Sequence, residues 1–278
     1  MTRLRKMAAL AIDECLRSVP RKQWARIPLV LCTAEPERPG RPARLDQDLF
    51  AGIQSELNTA FGGDSLIIPS GRVGVAAALQ SARSLLTQRD VPFVLIAAAD
   101  SLLSGPALRA YERWDRLLTS VNSNGFMPGE GAAAVLVGRD TDPVGPLCCG
   151  LGFGMERAHI VSDEPLRADG LTEAIANALA DAGCQLHDLN FRVIDAAGEQ
   201  YYFKEASLAV SRLLRQHLEE FEQWQPAECL GETGAVAGFV CLILAATAME
   251  KDYAPGPAAL IHASADCGRR AALVLTSH

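Results

Sequence analysis

The thiols, imidazoles and carboxylates of this chain are the first candidates for chemistry, and their spacing narrows the choice. The eight cysteines are Cys15, Cys32, Cys148, Cys149, Cys184, Cys229, Cys241 and Cys267. None forms a CxxC pair, and several sit in apolar runs such as PLVLCTA and AGFVCLILAA, where cysteine acts as a small hydrophobe. The pattern predicts free thiols in a reducing cytoplasm, with neither a disulfide framework nor a metal site. Among the histidines, His159 falls in a loop, and His187, His217 and His278 read as exposed. His262, in the run ALIHASAD, reads as a hydrogen-bonded structural histidine, with a catalytic role as the alternative. A net charge of −7 argues against a nucleic-acid surface, which needs a basic face to displace phosphate counterions.

The elements that must carry these residues follow from the hydrophobic period. Helices are expected over 4–18, 49–61, 72–88, 171–186, 201–218 and 231–250, the last opened by a glycine-rich turn. Strands are expected over 27–34, 64–71, 91–101, 129–140, 190–198, 259–266 and 270–277. The charged stretch 35–48, with three prolines, reads as a surface loop. Alternating strands and helices imply an α/β architecture, and the short turn between the last two strands makes the sheet mixed. Two segments of similar plan suggest an internal duplication around Asp142–Arg167. The N-terminal run MTRLRKMAALAIDECL is interrupted by Asp13 and Glu14, so it reads as an amphipathic helix rather than a secretory leader. The longest apolar run, Ala235 to Met249, has about 15 residues, short of the roughly 20 that span a bilayer.

Three pieces, in order, give the chain a recognisable outline. They are IPSGRVGVAAALQSARSLL with FVLIAAADSLL (68–103), NGFMPGEGAAAVLVGR (124–139) and GETGAVAG (231–238). Together they resemble a β-ketoacyl-acyl-carrier-protein synthase of the thiolase superfamily, over roughly residues 5–277. The resemblance implies a thiolase-like fold. That fold has two related α/β halves, here 1–145 and 146–278, with mixed sheets in a layered α/β/α/β/α arrangement. It also implies that the first half lacks the family's N-terminal strand and carries fewer strands than the second.

The departures fall on the family's reacting positions. The nucleophile cysteine at the strand-to-helix corner aligns with Gly71; a slip of one residue would put Ser70 there. The histidine of the His-Gly-Thr motif aligns with Ala197, followed by Gly198 and Glu199. The histidine of the Gly-His-Thr turn aligns with Glu232, between Gly231 and Thr233-Gly234. The family's lysine falls on Ala227, and its glycine-rich C-terminal corner is reduced to SADCGRR, keeping Gly268. Cys267 and Ser70 are weak substitutes for the missing thiol. Phe126 stands either at an acyl-pocket gate or in the core. Gly129, Glu130 and Gly131 are expected to serve backbone geometry and one buried, hydrogen-bonded carboxylate. Glu232 is expected as a helix N-terminal carboxylate, with an acid/base role as the alternative. Arg38, Arg41 and Arg44 read as a solvated loop that could also meet an acidic carrier protein.

Claisen condensation needs a thiolate to hold the acyl chain and two imidazole donors for the enolate. The resemblance therefore points to a non-condensing accessory subunit, similar to a chain-length factor. The alternatives are an active acyltransferase using Ser70, Glu232 or Cys267, and a structural protein that inherited the fold. An acyl carrier protein or acyl thioester is the implied ligand, with no cofactor, nucleic acid or membrane. The implied partner is a second copy or an active ketosynthase, paired through residues 64–70, where Leu66, Ile67 and Ile68 run in a row. Light scattering should find a dimer, and a monomer would refute that pairing.

Overall fold

A computed structural model describes residues 1–89, 91–139 and 145–277; Asp142, at the expected duplication boundary, and His278 lie outside the described residues. The chain divides into two compact units. Among the described residues, one comprises Met1–Trp114, 128–139 and Thr233–Phe239; the other comprises Asp115–Met127, 145–232 and 240–277.

The first unit is organised by β1 (Leu29–Thr33), which is apolar but for its last residue and buried throughout, as expected of a strand covered on both faces. Parallel neighbours flank it: β2 (Leu66–Pro69) on the edge side and β3 (Phe93–Ser101) on the other. β4 (Glu130–Gly138) closes the far side antiparallel to β3, for an order β2-β1-β3-β4. The helices of this unit are α1 (Thr2–Cys15), α2 (Arg21–Trp24), α3 (Leu45–Leu57), α4 (Gly74–Gln88) and α5 (Gly105–Arg113). α1 presents Leu4, Ala8 and Ile12 at helical spacing, and α3 presents Leu49 and Ile53. All five join Leu29, Leu31 and Leu95 in one core.

The loop before α3 differs from the expectation. Its last four residues already form the start of α3, and two of its arginines are tied down rather than solvated. Arg38 is buried with Asp100 at 2.9 Å, and Arg41 donates to Asp46 at 2.6 Å, while Arg44 remains exposed. Asp46 also accepts from the Thr33 hydroxyl at 2.6 Å, so the loop is pinned to the end of β1. A polar composition marked a loop correctly, but it could not show that a buried carboxylate on the neighbouring strand would draw Arg38 inward.

The second unit is a five-stranded sheet, order β5-β9-β8-β6-β7: β5 (Leu147–Met155), β6 (Phe191–Ile194), β7 (Glu222–Trp224), β8 (Ala258–Ser264) and β9 (Arg269–Thr276). β8 and β9 pair antiparallel and β6 runs parallel to β8, so this sheet is mixed as well. Its helices are α6 (Asp169–Ala182), α7 (Gln200–Leu213), α8 (Ala227–Leu230) and α9 (Ala237–Glu250), the last with residues in both units. β5 and β7 are absent from the sequence-based expectation. β7 is only three residues long, and β5 hid its period behind glycines.

Those glycines explain how α6 meets the sheet. A Cβ on Gly150, Gly152 or Gly154 would stand 2.1, 2.0 and 2.1 Å from the backbone carbonyls of Ala178, Ala174 and Gly170. Alternate residues of a strand share a face, so the three bare positions form a trough into which the helix backbone settles. His187 is half-buried rather than exposed, beside Asp188. No helix among the described residues is long and apolar enough to cross a membrane.

The trough makes a sharp mutational contrast. Gly152→Ala should lower stability by about 2–4 kcal/mol in urea unfolding, because backbone has to move. Gly63→Ala should be close to neutral, since nothing lies within 4 Å of the added carbon.

Candidate functional site

β2 ends at Pro69, and the chain turns through Ser70 into Gly71, whose φ is +54°. Only glycine takes this left-handed conformation without strain. Residues Gly71–Val73 form one 3-10 turn that leads into α4. The turn and helix sit close to β1 because their residues are small: at Gly74 an added Cβ would lie 3.2 Å from that of Cys32. The Cys32 thiol donates to the Gly74 carbonyl at 3.3 Å, and burial pushes its pKa upward, so it stays protonated.

The space in front of Gly71 is taken. A Cβ built there would lie 2.0 Å from Oε2 of Glu35 and 2.8 Å from its Cδ. The carboxylate stands where a side chain at 71 would begin.

A second corner repeats the first. Thr233 leads into Gly234, φ +61°, then a 3-10 turn Gly234–Val236 and α9. A Cβ on Gly234 would lie 2.1 Å from Oδ2 of Asp100. That oxygen accepts the Ala235 N–H at 2.9 Å, while Asp100 Oδ1 meets Arg38. The two turns pack together within the first unit, and a Cβ on Gly238 would come within 2.7 Å of the Arg72 carbonyl. Ser70-Gly71-Arg72-Val73-Gly74 and Thr233-Gly234-Ala235-Val236-Ala237 thus share sequence, dihedral pattern and a facing carboxylate. The shared hydroxyl-Gly-x-Val-small pattern was the signal available in the sequence for pairing the corners.

The GEG segment lies at the start of β4. The Gly129 carbonyl accepts from Leu102 N–H at 3.0 Å. Glu130 accepts from the Ser101 hydroxyl at 2.8 Å and pairs with Arg3 at 2.6 Å. Two details depart from expectation: Glu130 is half-buried rather than buried, and a Cβ on Gly131 would make only an ordinary 3.7 Å contact with Val236.

The remaining positions singled out in the sequence belong to the second unit. Ala197 follows β6 and is half-buried; Gly198, φ +118°, leaves room for the Gly125 carbonyl. Glu199 accepts two hydrogen bonds from Arg116, at 2.7 and 2.8 Å, whose guanidinium also donates to Asp266 at 2.6 Å. Burial opposes this charge, but Glu199 and Asp266 together hold the Arg116 pKa above its ordinary value. The Phe126 ring lies 5.7 Å from the same guanidinium and is buried, and Tyr202 donates to Asp266. Glu232 is buried, and its N–H donates to the Met127 carbonyl at 2.7 Å. Gly231 (φ +71°) and Gly268 (φ +91°) are both turn glycines, and a Cβ on Gly268 would meet the Glu156 carbonyl at 2.5 Å. Cys267 is exposed. No group of three or more potential ligand side chains able to hold a metal is found among the described residues.

Sequence reasoning missed a buried ion pair and misjudged one histidine. Arg270 Nε donates to Glu205 at 2.8 Å, both side chains fully buried, and Glu205 also accepts from Ser264 at 2.8 Å. His262, on β8, is 3% exposed, yet neither ring nitrogen has a hydrogen-bond partner. The expectation of a hydrogen-bonded histidine is therefore corrected. Burial, with Arg192 and Arg270 adding to it, pushes its pKa down to about 3, so the ring is neutral.

No family model matches the sequence, and no curated protein matches it significantly. Solved structures do match over the whole chain. The ishigamide ketosynthase/chain length factor superposes with a TM-score of 0.82 at 17% identity, covering 100% of this chain and 83% of that one. The type II polyketide-synthase ketosynthase AntDE, solved with its acyl-carrier protein AntF, gives 0.81 at 14% identity, covering 99% and 85%. The module 6 ketosynthase of the bacillaene synthase from Bacillus subtilis 168 gives 0.79 at 13%, covering 99% and 58%. The chain has the ketosynthase, thiolase-like fold.

The neutral His262 sets a pH dependence. An unfolded histidine protonates near 6.5 and this one only near 3. The unfolded chain therefore takes up the proton first, and stability that is complete above pH 6.5 is lost as pH falls toward 3. In urea unfolding between about pH 4 and 7, His262→Gln should flatten the acid limb by about one proton's worth of slope; an unchanged slope would contradict the assignment.

Proposed function

We propose that this chain is a non-condensing, ketosynthase-like subunit of fatty-acid or polyketide-type acyl metabolism, working beside an active ketosynthase as a chain-length factor does. The observation that carries the reading is the corner at Gly71. It keeps the backbone of a strand-to-helix turn but bears no side chain, and a carboxylate stands in front of it. Ala197 offers no imidazole. Glu199 in the same motif is engaged by Arg116. Glu232 carries a carboxyl where an enolate would need a donor, and an anion there repels an enolate.

The similar solved structures include a ketosynthase/chain-length-factor pair and a ketosynthase with its carrier protein bound. That likeness supports an active ketosynthase as partner and a carrier-borne acyl thioester as the ligand class. β2 suits the pairing role: it is the edge strand of its sheet, and Leu66, Ile67 and Ile68 are only half-buried. The reading requires no cofactor, and the free-thiol pattern fits the cytoplasm.

The test is direct. Co-expressed with an active ketosynthase from the same source, the chain should appear as a 1:1 heterodimer in native mass spectrometry. Incubated alone with acyl and malonyl thioesters of a carrier protein, it should gain no covalent mass. A covalent acyl adduct on Ser70 or Cys267 would replace this reading with an acyltransferase. A chain that stays monomeric beside the ketosynthase would remove it.

A further inference from the structure

We infer that Glu35 is the residue that closes the Gly71 corner, acting as a built-in carboxylate occupant of the place where an acyl-bearing side chain would stand. The inference rests on the reading of position 71 given above and deepens it. Loss of a thiol at 71 would by itself leave an empty corner, which a single substitution could refill. The geometry here is different. Oε2 of Glu35 is 2.0 Å from the Cβ position, far inside van der Waals contact, and Cδ follows at 2.8 Å. No side chain fits at 71 while Glu35 keeps its place.

The opposing corner shows what such a carboxylate does. Asp100 Oδ2 stands 2.1 Å from where a Cβ on Gly234 would be and accepts the N–H of the next residue, Ala235, which fixes the turn. The two carboxylates come from neighbouring strands. β1 and β3 run parallel with Cys32 beside Ala98, so Asp100 falls level with Ala34, and Glu35 is the next residue along. Two adjacent strand ends therefore each send a carboxylate to a positive-φ glycine that opens a 3-10 turn. The Glu35 carboxyl group excludes an acyl-bearing side chain from the corner by volume.

Glu35 and position 71 are thus predicted to be energetically coupled, which a double-mutant cycle measures without any substrate. Gly71→Ala, Glu35→Gly and the double variant would be compared by thermal and urea unfolding. Gly71→Ala should destabilise more with Glu35 present, where the carboxyl group has to swing aside, than in the Glu35→Gly background; what remains is the cost of alanine at positive φ. A second arm uses Gly71→Cys with and without Glu35→Gly, treated with iodoacetamide and read by peptide mass mapping. The thiol introduced by Gly71→Cys should be alkylated at least about tenfold faster in the double variant, with Cys267 as the exposed internal reference. Additive unfolding effects, or equal alkylation of the introduced thiol in both backgrounds, would overturn the inference. If a Gly71→Cys protein fails to fold, the alanine cycle still decides. Overturning it leaves the heterodimer experiment untouched, so this inference and the proposed function can fail separately.

Discussion

The first unit is organised around one buried carboxylate. Asp100 sits near the end of β3, 1% exposed, and serves three groups: the Arg38 guanidinium, the Ser101 N–H at 2.7 Å and the Ala235 N–H at 2.9 Å. A buried charge without partners costs several kcal/mol, so the surroundings of Asp100 are constrained together rather than singly. Arg38 has to enter from the β1–α3 loop, which explains why that loop is anchored through Arg41 and Asp46. Gly234 has to lack a side chain, because Asp100 stands where a Cβ would be and because its φ is positive. The turn that follows then directs the first residues of α9 against the neighbouring turn at Gly71.

The second unit solves the same problem with ion pairs. Arg116 bridges Glu199 and Asp266, and Arg270 bridges Glu205 and the Ala265 carbonyl. Removing one partner of a fully buried pair costs about 3–5 kcal/mol, because the other charge is stranded. These pairs join a loop (Arg116), a helix (Glu205 on α7) and the β8–β9 corner (Asp266), segments far apart in sequence. Glu199, beside the turn at Gly198, is thus part of the scaffold of the second unit.

Much of the fold was legible from period and punctuation. The helix at 72–88, the strand at 91–101 and the antiparallel pair β8–β9 all follow from apolar spacing with glycine or proline boundaries. β5 did not, because an alternating strand whose inward residues are glycine has no apolar signal on that face. The site was legible only as a set of absences. The resemblance placed Gly71 and Ala197, neither with a reactive side chain, at the expected reacting positions, but Glu35 lay in a stretch that composition assigned to solvent. Nothing in one sequence says that a carboxylate far upstream returns to the same corner. His262 was misjudged for a related reason: a histidine in an apolar strand looks the same whether or not its nitrogens find partners.

The trough in β5 has a consequence for how the second unit responds to force. Where α6 crosses Gly150, Gly152 and Gly154, backbone rests on backbone with no layer of side chains between. Pressure acts on voids left between imperfectly interlocking side chains, and a contact of backbone on backbone has fewer side chains to leave them. Under compression, adjustment would fall on the side-chain-packed surfaces beneath α7, while α6 and β5 move as a single rigid body.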